Sequence, residues 1–252
     1  MSTSLISKVN HWLKNIQYSL LPGTCILCNK SSKRNYDLCL PCTESLPRIS
    51  DPCESCGLPL PSNTFDGHLC GHCIVHSPPF KHIVSAFEYA EPVDRLLGAF
   101  KYHGKLAYGR VLAHQLLLSI EDFYTDRKTP ELLIPMPLHD KRLRQRGFNQ
   151  AIEIGTYLSH RLNLPLARQL CIRHRNTPRQ EGLNVKARQQ NLRQAFSITK
   201  SQADLAASVA IIDDVVTTTA STRELAMLLK RNKVEEVHIW CLARACRKLP
   251  NF

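Results

Sequence analysis

Four Cys-X-X-Cys pairs in the first third of the chain constrain its fold more than any other feature of the sequence. Two thiolates at this spacing can face one ion, and two pairs complete the tetrahedral sulfur shell that zinc prefers. Residues 25–80 contain few large apolar side chains, so metal binding would supply much of their folding free energy. The pattern predicts two structural Zn2+ sites in a double zinc ribbon over residues 23–80. The expected ligands are Cys25, Cys28, Cys39, Cys42, Cys53, Cys56, Cys70 and Cys73.

The way in which the four pairs combine is not fixed by their spacing. We expect consecutive ribbons, with the first two pairs on one zinc ion and the last two on another, while a crossed arrangement stays open. His68, His72 and His76 surround the last pair and can each replace a thiolate, but two complete sets of four cysteines make them bystanders. A disulfide scaffold is disfavoured because the chain begins without a secretory signal peptide.

The charge of the chain is strongly positive and unevenly spread. Thirty-three Lys and Arg against twenty-one Asp and Glu give +12, which favours partners that carry phosphates, such as nucleotides, nucleic acid or an anionic membrane surface. Residues 141–193 hold twelve Lys and Arg and only two acids, a local surplus of ten. Aromatic side chains are scarce there, so we expect this region to contact single-stranded DNA through its phosphates rather than by base stacking.

The sequence offers no candidate for a membrane-spanning segment. No run of about eighteen apolar residues occurs, and a cytoplasmic protein is expected. In residues 1–22, apolar side chains recur at helical spacing from Leu5, Val9 and Trp12 onward and stop before Pro22-Gly23. This spacing predicts an N-terminal amphipathic helix.

Beyond residue 80, strand-like and helix-like patterns alternate. The strand candidates are HIVSAFEYA, ELLIPMPL, SVAIIDDVV and VEEVHIWCLAR. Between them lie a helical stretch that begins at PVDRLLGAF and is interrupted at Gly104, a helix opened by Asn149, and a helix STRELAMLLKRN. Alternation of this kind predicts an α/β fold with a central, mainly parallel sheet, which binds its ligands at the carboxyl ends of the strands.

One of these strands runs into the segment VAIIDDVVTTTAST, residues 209–222, in which two acids are followed by small hydroxylated residues. We expect a strand over 209–212, Asp213 and Asp214 at its end, a loop over 216–220 and a helix that begins near Ser221, with Ser221 and Glu224 matching a capping box. A loop that enters a helix N-terminus is suited to a phosphate. The carboxylates would instead take hydroxyls or a metal ion, so the segment predicts a phosphorylated-sugar site.

The same segment resembles the signature of type I phosphoribosyltransferases, which bind 5-phosphoribosyl 1-pyrophosphate (PRPP). The resemblance implies that fold for residues 81–252, with Mg2+ accompanying PRPP. It implies that Asp213 and Asp214 are catalytic residues that hold the ribose hydroxyls and stabilise an oxocarbenium-like centre. It implies a 5′-phosphate loop made of Thr217, Thr218, Thr219, Ala220, Ser221 and Thr222. Thr219 stands where the family usually has Gly, and a Cβ there can crowd the phosphate or resist a positive φ.

A basic segment, PMPLHDKRLRQRGFNQ, follows the second strand candidate, where the transferase family places its pyrophosphate loop. Lys141, Arg142 and Arg146 are the expected donors to pyrophosphate, with Mg2+ bridging it, while Arg144 fits an exposed position better. A third polar stretch, residues 173–196, corresponds in that family to a mobile loop that closes over the substrate.

Paired zinc ribbons ahead of the motifs KYHG, RLRQRGFNQ, TPRQEGLN, RQQNLRQAF and DDVVTTTAST resemble the ComF family of competence proteins, which is amidophosphoribosyltransferase-like. The resemblance covers nearly the whole chain from Cys25 onward. It implies a role in natural transformation, in handling imported single-stranded DNA in the cytoplasm, with a competence helicase and DNA-processing proteins as partners. The alternative is an active phosphoribosyltransferase of nucleotide or amino-sugar metabolism without a DNA role. The acceptor substrate, turnover and the oligomeric state are left open by the sequence.

Overall fold

The computed structural model of the chain describes residues 23–60, 68–174, 195–199 and 205–246. The chain divides into two compact units, Met1–Leu46 and Pro47–Phe252. The expected helix over residues 1–22 lies outside the described residues, and so does most of the polar stretch 173–196. The domain limits expected at residues 22 and 80 stay a prediction.

The first unit contains the first two cysteine pairs. A bridge between Thr24 and Ser31 closes the turn that carries the first pair, and a short helix, α1 (Leu40–Glu44), follows Cys39. Cys25 and Leu38 are fully buried. Because few buried apolar residues are available here, a metal-bound thiolate cluster would supply much of the folding free energy of this unit.

The second unit contains the last two cysteine pairs and the α/β domain. Its first helix, α2 (Gly71–Val75), carries Cys73. The strands are β1 (His82–Glu88), β2 (Leu132–Pro135), β3 (Cys171–Arg173), β4 (Phe196–Ile198), β5 (Ser208–Val216) and β6 (Glu236–Arg244). Four of them form one sheet in the order β1-β6-β5-β2, and every neighbouring pair is parallel. The central strands are buried along most of their length, as strands covered on both faces must be.

Among the described residues, five further helices connect these strands. They are α3 (Val93–Tyr102), α4 (Leu106–Phe123), α5 (Asp140–Arg146), α6 (Gln150–Leu162) and α7 (Ala220–Arg231). Gly104, at φ +62°, separates α3 from α4, which confirms the predicted interruption. Asn149 opens α6 as predicted, because its Oδ1 accepts a hydrogen bond from the Ala151 amide at 2.9 Å. The largest fully buried side chains include Trp240, Phe87 and Phe100.

Two local expectations differ from the structure. The strand over 209–212 continues to Val216, so both acids lie within β5. The helix after it begins at Ala220, beside the predicted start near Ser221, but its N-cap is Thr219 and not the Ser221 of the expected capping box. Thr219 enters the helix in a left-handed conformation.

The basic segment after β2 is also different from the expected loop, because residues Asp140–Arg146 form the helix α5. The His139 side chain caps its start, and Gly147, at φ +79°, ends it. The antiparallel pair β3–β4 flanks the polar stretch and had no counterpart in the sequence patterns.

The fold class predicted from the sequence is confirmed, an α/β fold with a central parallel sheet preceded by cysteine-rich ribbons. Within the part of the chain that the structure describes, no helix is both long and apolar enough to cross a membrane.

Candidate functional site

Two groups of four thiols have the geometry of closed zinc sites. In each group every Sγ lies within 4.8 Å of the others, the first group being Cys25, Cys28, Cys39 and Cys42 and the second Cys53, Cys56, Cys70 and Cys73. The Sγ atoms of Cys28 and Cys39 are 3.8 Å apart, and those of Cys56 and Cys70 are 3.6 Å apart. Tetrahedral coordination with Zn–S bonds of about 2.3 Å places sulfurs about 3.8 Å apart. The thiols therefore fit zinc, and the consecutive pairing is confirmed.

Four protein ligands on each ion leave no position for a substrate, so these are structural zinc sites. The amide of Cys70 donates to the Cys53 Sγ at 3.2 Å, a bond that stabilises a ligating thiolate. His68, His72 and His76 belong to neither group of the described residues, in agreement with their expected role as bystanders.

A pair of carboxylates marks the carboxyl end of β5, the edge where a parallel sheet binds its ligands. The Asp214 amide donates to Oδ1 of Asp213 at 2.9 Å, and the Val215 amide donates to Oδ1 of Asp214 at 2.6 Å. Oδ2 of Asp214 lies 3.0 Å from Nζ of Lys101, and the two side chains are only 14% and 16% exposed. Because both partners are largely shielded from water, this ion pair fixes the orientation of the Asp214 carboxylate.

Burial, together with the negative charge of Asp214, raises the pKa of Asp213 to about 7. The Asp214 amide, Lys101 and Arg173 act in the opposite direction and lower it. The carboxyl group of Asp213 can therefore gain or lose a proton near neutral pH, which is a property common at functional sites.

The candidate phosphate loop, residues 217–222, follows these acids directly. Thr217 is exposed, and Thr218, Thr219, Ala220 and Ser221 are partly buried. Thr219 has φ 60° and ψ 2°, and its side chain makes no capping hydrogen bond to α7. Thr222 is 2% exposed, and its hydroxyl donates to the Thr219 carbonyl at 2.9 Å. The Thr222 hydroxyl is thus committed to closing the turn.

The helix α5 supplies positive charge after β2, the strand next to β5 in the sheet. Lys141 and Arg144 are exposed on it, while Arg142 and Arg146 are partly buried. Arg146 donates to Oε1 of Gln150 at 2.9 Å.

The guanidinium of Arg146 also lies over the ring of Tyr102, 5.3 Å from the centroid. The hydrogen bond and the ring contact together hold Arg146 in one orientation, whereas Lys141 extends from the surface.

Two further cations were not assigned a role from the sequence. Lys101 belongs to the quoted motif KYHG, but nothing local indicates that it reaches Asp214. Arg173 stands at the end of β3, and burial and the nearby positive charge of Arg142 lower its pKa, while the charge of Asp213 raises it. Arg173 therefore lies in the electrostatic field of both the acids and α5. Only the tertiary structure could have identified these two residues, because both are far along the chain from the acids.

Comparisons with known proteins match the cysteine-rich part of the chain to one family. A family described as the double zinc ribbon domain matches residues 16–74. Among solved structures, one titled as the allosteric regulatory enzyme of purine biosynthesis is 16% identical with a TM-score of 0.32, covering 53% of this chain and 25% of that one. A likeness of this size says nothing about activity.

Curated relatives are more similar in sequence. Competence protein F of Haemophilus influenzae is 37% identical over 70% of this chain and 78% of its own length. DNA utilization protein YhgH of Escherichia coli K12 is 31% identical over 88% of this chain and 90% of its own. Competence protein ComFC of Bacillus subtilis is 26% identical over 64% and 63%. With two paired zinc ribbons, a parallel sheet and these relatives, the chain belongs to the ComF family of competence proteins.

Proposed function

We propose that the carboxyl edge of the sheet binds PRPP. The observation that carries the proposal is the pair of acids at the end of β5, tied to Lys101 at 3.0 Å and followed by a left-handed turn into α7. Carboxylates accept hydrogen bonds from ribose hydroxyls, and amides at the start of a helix suit a 5′-phosphate. The neighbouring helix α5 offers cations to a pyrophosphate.

Mg2+ is the proposed companion of PRPP, because it binds phosphate oxygens and keeps most of its water ligands. It reduces the charge that Lys141, Arg142 and Arg146 must neutralise. The residues of this chain then hold and orient the ligand, and the proposed catalytic role of Asp213 and Asp214 is electrostatic.

We propose further that the protein acts in natural transformation, on single-stranded DNA in the cytoplasm, together with a competence helicase and DNA-processing proteins. The names of its relatives, competence protein and DNA utilization protein, support this role. So does the surplus of ten positive charges in residues 141–193, which exceeds what one PRPP needs. Residues 141–174 of that region are described and include α6 and all but the first residue of α5, whereas residues 175–193 lie outside the described residues.

Calorimetry with PRPP and Mg2+ tests the sugar-phosphate site. Asp213→Asn and Asp214→Asn remove charged acceptors, so each should weaken PRPP binding about tenfold or more. Asp126→Asn, a change at an exposed acid on the loop after α4, is the matched control and should leave the affinity unchanged. Equal affinities for wild-type protein and both site variants would remove the assignment.

A pyrophosphate-release assay separates turnover from binding. Nucleobases, ammonia donors and DNA ends are offered in turn as nucleophiles to protein saturated with PRPP and Mg2+. Release that requires one acceptor, and is lost in Asp213→Asn, would favour a phosphoribosyltransferase. Binding without release would favour a sugar-phosphate sensor on a DNA-handling protein.

Fluorescence anisotropy with a labelled oligodeoxythymidine tests the DNA role. Affinity should fall as salt rises, and each lost phosphate contact should lower the logarithmic slope by about 0.7. Lys141→Gln removes an exposed cation on α5, whereas Lys128→Gln removes one whose side chain is 82% exposed after α4. We expect only the first to reduce the slope. Binding that ignores salt would contradict phosphate contact.

A further inference from the structure

Arg244, the last residue of β6, is only 3% exposed although it carries a charge. Its Nε donates to the main-chain oxygen of Cys56 at 2.9 Å. Its Nη1 donates to main-chain oxygens of Val216 at 3.1 Å, Ala245 at 3.0 Å and Thr217. One guanidinium thus joins two stretches of chain that are far apart in sequence.

Each stretch has a role in one of the two sites. Cys56 contributes its Sγ to the second group of four thiols, so a metal ligand and an acceptor for Arg244 belong to the same residue. Val216 and Thr217 lead from β5 into the candidate phosphate loop. The side chain of Arg244 therefore connects the main chain of Cys56 directly to the candidate phosphate loop.

The chemistry of Arg244 makes this connection sensitive to geometry. Its described hydrogen-bond partners are all main-chain carbonyls, whose fixed dipoles must solvate a buried cation. A guanidinium is planar and donates in several fixed directions, so it can bridge acceptors on two sides. If the Cys56 carbonyl moves, the buried Nε–H of Arg244 loses its acceptor. The guanidinium can keep this bond only by following the carbonyl, which disturbs its hydrogen bonds to the loop.

The rest of the Cys53–Gly57 knuckle is docked on the same domain. The main-chain oxygen of Glu54 lies 3.0 Å from Nδ1 of His82 at the start of β1. Gly57, at φ +66°, approaches Ile83 so closely that an added Cβ would lie 3.2 Å from its side chain. These contacts hold the knuckle against β1. Zinc binding by Cys53 and Cys56 would fold the knuckle itself, so loss of zinc should displace the Cys56 carbonyl.

We propose that zinc in the second group of thiols positions the candidate phosphate loop through Arg244, so that loss of this metal loosens the loop and weakens sugar-phosphate binding. The effect on the loop stands by itself, whereas the effect on binding rests on the proposed function. Arg244 is a positioning residue here, because it acts through the main chain of the loop.

Hydrogen exchange of the full chain tests the first half. Cys56→Ser removes a ligand of the second site but keeps its carbonyl, and Cys28→Ser removes a ligand of the first site. Each variant should bind one zinc ion fewer. Only Cys56→Ser should speed exchange in peptides that cover residues 214–222, by about tenfold, while β2 and α6 stay protected. Equal loop exchange in both variants and the wild type would overturn the proposal.

Arg244→Lys tests the link itself, because an ammonium cannot bridge Cys56 and the loop as a planar guanidinium does. We expect this variant to keep both zinc ions, to exchange faster at residues 214–222 and to bind PRPP about tenfold more weakly. In Arg244→Gly, added guanidinium at millimolar concentration should restore protection of the loop, whereas ammonium should not. If Arg244→Gly loosened the loop only through a general packing defect, neither guanidinium nor ammonium would restore its protection.

The outcomes separate this proposal from the proposed function. Faster loop exchange in Cys56→Ser and Arg244→Lys, in a protein that never binds PRPP, would support the metal-to-loop link and contradict the sugar-phosphate site. PRPP binding that is unchanged in both variants, with unchanged exchange, would support the site and contradict the link.

Discussion

At the scale of single residues, Thr219 is the point where this chain departs from the phosphoribosyltransferase pattern. A β-branched residue at φ 60° is strained, because its Cβ crowds the neighbouring peptide groups. The resemblance to that family indicated that a Cβ here can resist a positive φ, and the backbone shows that Thr219 nevertheless adopts one. Thr219 thus adopts a left-handed conformation at an energetic cost that glycine would avoid.

Replacing Thr219 by Gly should relieve this strain. A left-handed conformation costs an L-residue about 1–2 kcal/mol, and glycine loses about 0.5–1 kcal/mol in chain entropy, so we expect a net stabilisation of about 0.5–1 kcal/mol. Thr219→Ala keeps the Cβ and should change the free energy of unfolding by less than about 0.5 kcal/mol. Urea unfolding measures both. Stabilisation by Ala and not by Gly would contradict strain as the cause.

Lys101 is the second residue whose role can be isolated. Removing its charge with Lys101→Met takes away a group that lowers the pKa of Asp213, so that pKa should rise further from about 7. PRPP should then bind more weakly at neutral pH, because less of Asp213 is ionised to accept from a hydroxyl. Carbon-detected NMR of the Asp213 carboxyl and calorimetry measure the two effects. Lys105→Met, at an exposed position just before α4, should change neither.

At the scale of elements, the close packing of α3 and α4 decides where Lys101 lies. Gly109 in α4 faces Phe100, which directly precedes Lys101 and is fully buried. A Cβ on Gly109 would lie 2.5 Å from Cε2 of Phe100. Glycine at this position is therefore needed for the approach of the two helices.

Gly109→Ala should force these helices apart. We expect it to destabilise the protein by about 1–3 kcal/mol through overpacking, and to weaken PRPP binding by displacing Lys101. Gly98→Ala is the matched control, because an added Cβ there meets nothing within 4 Å. This change within α3 should stabilise the protein by about 0.5–1 kcal/mol and leave binding intact. Thermal unfolding and calorimetry check both variants, and equal behaviour of the two alanines would contradict the packing argument.

The element boundaries show which local patterns were sufficient. The periodicity of the apolar residues predicted all four strands of the parallel sheet, and Asn149 and Gly104 marked helix limits as expected. The helix α5 was not predicted, because its seven residues carry almost no apolar side chains, and its ends depend on a His139 cap and a left-handed Gly147. The pair β3–β4 is too short to produce a periodic pattern.

At the scale of the whole molecule, two buried groups give the stability opposite dependences on pH. The pKa of Asp213 is raised to about 7, so the folded protein retains a proton that the unfolded chain releases, and stability falls as pH rises from about 4 to 7. Burial and the positive charge of nearby groups lower the pKa of His238 to about 4. The unfolded chain binds that proton more readily, so stability falls as pH drops from about 6.5 to 4.

These two dependences should offset each other in the wild type and separate in variants. Asp213→Asn leaves the histidine effect, so its free energy of unfolding should rise between about pH 5 and about pH 7. His238→Gln leaves the carboxyl effect and should show the reverse slope. Urea unfolding over this pH range measures the slopes. Parallel profiles for the two variants would contradict the assigned directions.

The sequence by itself determined the features that depend on residues close together along the chain. Cys-X-X-Cys spacing identified the eight zinc ligands but not their division into two sets, apolar periodicity predicted the strands of the sheet, and DDVVTTTAST predicted an acid pair followed by a turn into a helix. The tertiary structure alone decided the contacts of residues that are distant along the chain. It brought Lys101 to Asp214, placed Arg173 near Asp213, and joined Cys56 to the loop through Arg244. The pKa of Asp213 depends on both, because the neighbouring Asp214 acts on it along the chain, whereas its burial and the charges of Lys101 and Arg173 come from the tertiary structure.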